Sequence, residues 1–243
     1  MSTQALSTSS YLCAETEKAL GLLGDTTTQV RTGAISLDAL SRFNAHQNPF
    51  ENAAKAYSKQ IETQLKYFRD RWGFAYSDEE FGGLYVPRPS GYSKTLLINP
   101  KDLTGPEDIF SKWVAEGKFS TYKYTDKSLN DFVPNDRRRL GHYALLHSGR
   151  READEELKNR SWEQNLADRK ETMRLTETLL WEDVFFTETK EHVDPDTITL
   201  TSSRVVVGGV AGVRWDRDDG EVGVGWCSPR RAGPSLRARA VFL

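Results

Sequence analysis

One apolar stripe dominates the first third of the chain. Phe50, Ala54, Tyr57, Ile61, Leu65, Phe68 and Trp72 recur at steps of four, three, four, four, three and four, the spacing that keeps side chains on one side of a helix. The pattern predicts an amphipathic helix over 49–72. Asn48 can cap it, Pro49 suits its first position, Glu51 can reach back as in a capping box, and Gly73 stops it. A shorter run, SLDALSRF, predicts a helix over about 36–45. Six of the first ten residues are Ser or Thr, so residues 1–34 are expected to be poorly ordered.

The middle of the chain changes period. LYVPRPSGYSKTLLIN carries two short apolar runs separated by Pro87, Pro89 and Gly91, which reads as strand, loop and strand. GPEDIFSKWVAEGK places Pro106 at a helix start and Gly117 at its end. FSTYKY and GHYALLH read as strands, so strand and helix alternate and a mixed central sheet with helices packed on it is expected.

Ser161 and Gln164 are spaced as a capping box for another helix. Thr172 is expected to cap the next one, TMRLTETLLWEDVFF, over about 173–189. Leu175, Leu179, Glu182 and Phe186 share one stripe there, Leu180 and Val184 a second, Trp181 and Phe185 a third. A helix apolar nearly all round is a central one. Beyond Pro195 the period is two: TITLTSS, VAGVRW, EVGVGW and LRARAVFL predict an antiparallel meander, with a type I′ turn at Asp219-Gly220. Val213 and Trp215 fall on one face, as do Val222, Val224 and Trp226.

Composition narrows the class. The chain is 37% hydrophobic and 28% charged over 243 residues, which fits one large domain or two small ones and allows a sizeable core. With 33 Lys+Arg against 35 Asp+Glu, no whole-molecule field selects a nucleic acid or an anionic membrane. Two cysteines, Cys13 and Cys227, make neither a disulfide framework nor a zinc set. There is no basic n-region and no run of about 18 apolar residues, so a cytoplasmic setting without membrane contact is expected.

The run from TETLLWEDVFF through HVDPDTITLTSSR, GVRWD and VGVGW to LRARAV, with READEELKNRSW upstream, resembles a group of uncharacterised bacterial hypothetical proteins across about residues 130–243. The resemblance implies a bacterial protein with a folded C-terminal unit. It implies no activity. Members often carry Cys-x-Gly-Ser-Arg where this chain has Thr201-Ser202-Ser203-Arg204, so it implies no thiol there.

Glu182 interrupts an apolar line on the central helix. Burial raises a carboxyl pKa unless an arginine or several donors meet it, and that is a usual preparation for acid/base chemistry. His192, Asp194 and Asp196 follow at spacing two, which in an extended segment places all three toward one metal or substrate. The competing reading is a helix-to-strand corner, with His192 at the negative helix end and Asp196 starting a turn.

WDRDDGE lacks the sixth-position glycine and twelfth-position Glu of a calcium loop, and GEVGVGW alternates glycine with valine in a strand with no helix after it. Neither is read as a binding motif. Arg137, Arg138 and Arg139 precede the strand GHYALLH, while the segment 204–243 holds seven Arg against four acids, Arg237 and Arg239 among them. Arginines with nearby tryptophans suggest phosphate contacts and stacking.

The expected fold is α+β: N-terminal helices, a mixed central sheet with helices on it and a C-terminal meander, as a single domain over 35–243, with 193–243 as an alternative β subdomain. The expected function is a non-catalytic cytoplasmic accessory protein binding a partner or ligand. The alternatives are a nucleic-acid-binding protein using Arg137, Arg138, Arg139, Arg237 and Arg239, and an enzyme using Glu182 as acid/base with His192. No cofactor or metal is expected.

Overall fold

A computed structural model describes residues 53–77, 80–81, 84–87, 95–117, 120–134 and 136–243. They belong to the second of two units, Asn52–Leu243. The helix expected over 36–45, the cap at Asn48–Glu51 and the segment 1–34 lie outside the described residues.

The described residues form an α+β fold with five α-helices and two sheets. Helix α1 (Ser58–Tyr67) follows a 3₁₀ turn, Ala54–Tyr57, and continues as a π-helical turn, Phe68–Trp72. Gly73 ends it in the left-handed region, φ +70°, as its position in the sequence predicts. The buried face is rotated from the expected stripe. Gln64, Tyr67 and Phe68 are buried, while Ile61, Leu65 and Trp72 are only half-buried against the core. Two polar side chains lead this face because each has a partner inside: Gln64 on a strand edge and Tyr67 on Asp183.

Strand β1 (Thr95–Asn99) and strand β3 (Tyr143–His147) form an antiparallel ribbon in register Thr95↔His147 to Asn99↔Tyr143. The expected strand over 84–87 is irregular; Leu84 and Val86 are buried there, and Val86 accepts the Ala53 N–H at 2.9 Å. Pro87 removes the donor that would extend a ladder. Helix α2 (Pro106–Glu116) has Pro106 in its first turn and ends at Gly117, φ +57°. Strand β2 (Ser120–Lys123) and the single turn α3 (Leu129–Phe132) follow.

Helix α4 (Trp162–Ala167) begins with the predicted capping box: Ser161 Oγ accepts the Gln164 N–H at 3.2 Å, and Gln164 Oε1 accepts the Ser161 N–H at 2.8 Å. Helix α5 (Leu175–Thr189) is the central rod. It packs on α2, on β1, and on strands β4 (Ile198–Arg204) and β5 (Val210–Asp216). Leu175, Leu179 and Leu180 are fully buried, each worth roughly 1.5–3 kcal/mol of burial. Thr172 does not cap this helix. It sits in a β-bridge with Ala240, and the helix starts at Leu175, where Ser203 Oγ and Asp136 Oδ2 accept the Leu175 and Thr176 N–H groups at 2.7 and 2.6 Å.

The larger sheet runs β2-β6-β5-β4-β7, with β6 (Glu221–Cys227) and β7 (Leu236–Arg237). β4, β5 and β6 form the expected antiparallel meander. Two details differ from expectation. The mixed sheet is not a separate central layer: β2 joins the meander, parallel to β6. The last run is not a fourth meander strand. β7 lies parallel to β4, after which the chain bridges Ala240 to Thr172 and Phe242 to Leu146. Pro229 and Pro234 in the connection favour a crossover rather than a tight hairpin.

The β5–β6 hairpin is where Asp219-Gly220 predicts it, but the closing pair is Asp216↔Glu221. The loop therefore has four residues, and only Gly220, φ +64°, takes the left-handed conformation. Ala211, Val213 and Trp215 face inward opposite Trp226, Val224 and Val222, so both tryptophans share the core face of the sheet. Trp226 sits at its rim and is half exposed.

Candidate functional site

Three acids are buried on α5, and each is met from a different part of the chain. Glu177 accepts from Arg138 Nε at 2.7 Å and Tyr143 Oη at 3.0 Å. Asp183 accepts from Arg71 Nη2 at 2.9 Å and Trp113 Nε1 at 2.8 Å, and from the Tyr67 hydroxyl. Glu182 alone has a histidine. His192 Nδ1 lies 2.6 Å from its Oε1, and the Val193 N–H donates to Oε2 at 2.9 Å. Burial pushes the Glu182 carboxyl above the usual carboxylate range, against the opposing pull of His192. The structure thus brings Glu182 and His192 together. The His192 ring is stacked between Phe186, at 4.6 Å, and Trp215, at 3.5 Å and 7° from parallel, which fixes it in place.

His192, Asp194 and Asp196 do not converge. Lys190 ends α5 at φ +64°, and Asp194 takes φ +53°, reversing the alternation that an extended segment would give. Asp194 turns into the core: its Oδ1 accepts from Arg239 Nη2 at 2.6 Å and the Ala153 N–H at 2.8 Å, and its Oδ2 from Thr199 Oγ1 at 2.5 Å. Asp196 faces solvent, paired with Arg217 at 3.3 Å. Among the described residues no group of three or more His, Cys, Asp or Glu is placed to hold a metal ion. The segment HVDPDT is a corner whose first two polar residues tie it to α5 and to the chain beyond β7.

Arg137, Arg138, Arg139, Arg237 and Arg239 are distributed through the fold rather than gathered on one surface. Arg239 is fully buried, donating to Asp194 and to the Arg150 and Arg151 carbonyls at 2.8 and 2.6 Å. Arg237 pairs with Glu155 at 2.5 Å. Arg137 holds the carbonyls of Pro100, at 2.8 Å, and Leu103. Arg138 is committed to Glu177 and Glu171. Of the five, only Arg139 is exposed. An interior arginine that caps carbonyls and one that meets a phosphate look alike in sequence.

The outward face of the larger sheet carries a site that spacing alone did not single out. Gly212 and Gly225 are register partners, and Gly223 lies between Arg214 on β5 and Tyr122 on β2. Three neighbouring positions thus lack side chains and form the floor of a trough of about 380 Å³. Tyr124 walls one side, over Gly225; Ile198, Leu200 and Leu236 wall the other. Arg214 and Asp216, paired with each other, lie toward one end, and Cys227 and Arg231 toward the other. Burial pushes the Cys227 thiol up, which favours its neutral form. Tyr122 stands beside Tyr124, ring centres 4.7 Å apart and edge to face. The alternation Gly223-Val224-Gly225 was the available signal; the cross-strand Gly212 needed the register.

No known family, curated protein or solved structure matches this chain. Among the described residues no helix is long and apolar enough to cross a membrane.

Proposed function

We propose that this chain is a non-catalytic binding protein of the bacterial cytoplasm, and that it holds a small molecule with a flat apolar body in the glycine-floored trough. The observation that carries this reading is Gly223. Its φ is not in the left-handed region, and a Cβ built there meets nothing within 4 Å, so the backbone has no use for glycine at this place. Glycine within a strand costs about 0.5–1 kcal/mol relative to alanine. A bound body lying on the bare peptide planes accounts for that cost. The volume suits a small ligand, tyrosine and aliphatic walls suit a flat one, and Arg231, exposed and in no ion pair among the described residues, suits an acidic group at its end. The cytoplasmic setting rests on the sequence, whose two cysteines make no disulfide framework.

Catalysis by Glu182 and His192 has less behind it. The pair lines neither the trough nor the cleft beside α4, and the clamped imidazole acts as an internal tie. For nucleic-acid binding, Arg137, Arg237 and Arg239 are engaged inside the fold and Arg138 is anchored by Glu177, so the five named arginines make no common surface.

The test uses 8-anilinonaphthalene-1-sulfonate, which is flat, apolar and anionic. The wild-type protein should bind it saturably, and Gly223→Leu, whose side chain enters open space, should lose at least tenfold in affinity at unchanged circular dichroism and melting temperature. Equal binding by the folded variant overturns the reading.

A further inference from the structure

A second cleft, of about 310 Å³, opens between α4, the end of β4 and the segments around Pro134 and Thr172. Four cationic residues line it, Arg138, Lys170, Arg174 and Arg204, against two acids, Asp136 and Glu171. The acids are not equivalent. Asp136 is occupied: its oxygens are taken by the Thr176 N–H and hydroxyl, at 2.6 and 2.7 Å, and by the Ser203 hydroxyl. The start of α5 is therefore already filled and offers no free N–H dipole to a ligand. Glu171 differs, being largely exposed and reaching Arg138 Nη1 at 3.1 Å.

The cations differ too. Arg204 is pre-set: its guanidinium lies over the Trp162 ring at 4.9 Å, and its Nη2 donates to the Gly208 carbonyl at 2.7 Å. That leaves Nη1 and Nε as donors held in one orientation. Lys170 makes no ion pair among the described residues, although it stands on the cleft wall. Arg138 is anchored from behind by Glu177 and offers Nη1 to whatever carboxylate or oxyanion lies in front. Glu171 now occupies that place as a weak, solvent-exposed partner, the kind of ion pair worth little by itself.

We propose that this cleft binds a phosphoryl group, with Lys170 and Arg204 as its main contacts and Glu171 as a built-in placeholder that the ligand displaces from Arg138. A compact dianion satisfies two or three cationic donors at once, which a single carboxylate does not. The cleft is roomier than inorganic phosphate needs. The ligand is therefore a phosphomonoester, its organic part resting against Val133, Pro134 and Leu166.

Isothermal titration of the full chain with inorganic phosphate, with glycerol 3-phosphate and with sodium chloride at matched ionic strength tests this. Glycerol 3-phosphate should bind at least fivefold more tightly than phosphate, and chloride should not bind. Lys170→Gln and Arg204→Gln should each weaken binding about tenfold. Glu171→Gln should strengthen it about threefold, since it removes the competing carboxylate. Opposite signs from neighbouring surface substitutions cannot come from damage to the fold. Absence of phosphomonoester binding at millimolar concentration, or weaker binding by Glu171→Gln, overturns the proposal. Tighter binding of phosphate than of the ester overturns the assignment of the organic part.

Discussion

Gln64 stands in for a strand beside β1: its Oε1 accepts the Ile98 N–H at 2.8 Å, and its amide donates to the Leu96 carbonyl. Gln60 adds a third such bond, its Oε1 accepting the Leu96 N–H at 2.8 Å. A two-stranded ribbon has two open edges. Helix α1 closes one of them with side-chain amides that copy the donor and acceptor of a backbone peptide. Gln64→Leu keeps the size and removes both groups, leaving a buried N–H and C=O unpaired. The expected loss is about 2 kcal/mol, read from the midpoint of urea unfolding. A change below 0.5 kcal/mol, on the same ~2 kcal/mol scale, would show that the edge is held by other means.

The burial of Glu182 on α5 makes stability depend on pH in a definite direction. The folded carboxyl sits above its ordinary range because it is buried, so the folded chain binds that proton more tightly than the unfolded chain. Its contribution is fully present below the ordinary carboxylate pKa and is lost as pH rises through the folded value. Glu182→Gln keeps an acceptor for Val193 and does not titrate. The variant should therefore gain on the wild type as pH is raised from about 4 to 7, measured as the difference in melting temperature. A difference that is flat, or that grows as pH falls, contradicts this account.

Asp194 and Arg239 form a fully buried ion pair. Removing one partner strands the other's charge in the core. Arg239→Met alone should cost about 3–5 kcal/mol. Adding Asp194→Asn should recover part of that loss, because the stranded carboxylate is then gone. A double variant as unstable as the sum of the two singles would mean that the charges are not coupled.

The start of α5 depends on a carboxylate that is remote in sequence. Asp136→Ala should cost about 1–2 kcal/mol, the usual size of a lost N-cap. Asp136→Asn, which retains an acceptor for the Thr176 N–H, should cost less than half of that. Chemical denaturation of the two variants side by side decides it.

What the sequence made legible was local. Gly73, Gly117 and the Ser161–Gln164 box each mark a boundary through their own backbone chemistry, and the all-round apolarity of 175–186 marks the central helix. What it hid was pairing between distant residues. Thr172 has a capping side chain but sits opposite Ala240, and only the tertiary bridge decides between these roles. Arg239 alternates with apolar residues and reads as a phosphate contact, because its partner, Asp194, lies 45 residues away. Asp194 in turn takes a left-handed conformation, at a non-glycine residue before proline, which breaks the two-residue alternation that its spacing suggests. The trough was half visible: two of its glycines alternate on β6, and the third comes from a neighbouring strand.

Helix α5 is gripped through Glu177, Asp183 and Glu182 by residues from 138–143, from 67–113 and from 192–193 respectively. Peeling any one of these regions away would bare a carboxylate in the interior, so no layer can loosen alone without a large penalty. The amide protons along its middle turns should accordingly be the last in the molecule to exchange with deuterium, and should do so together, at the rate of whole-chain opening.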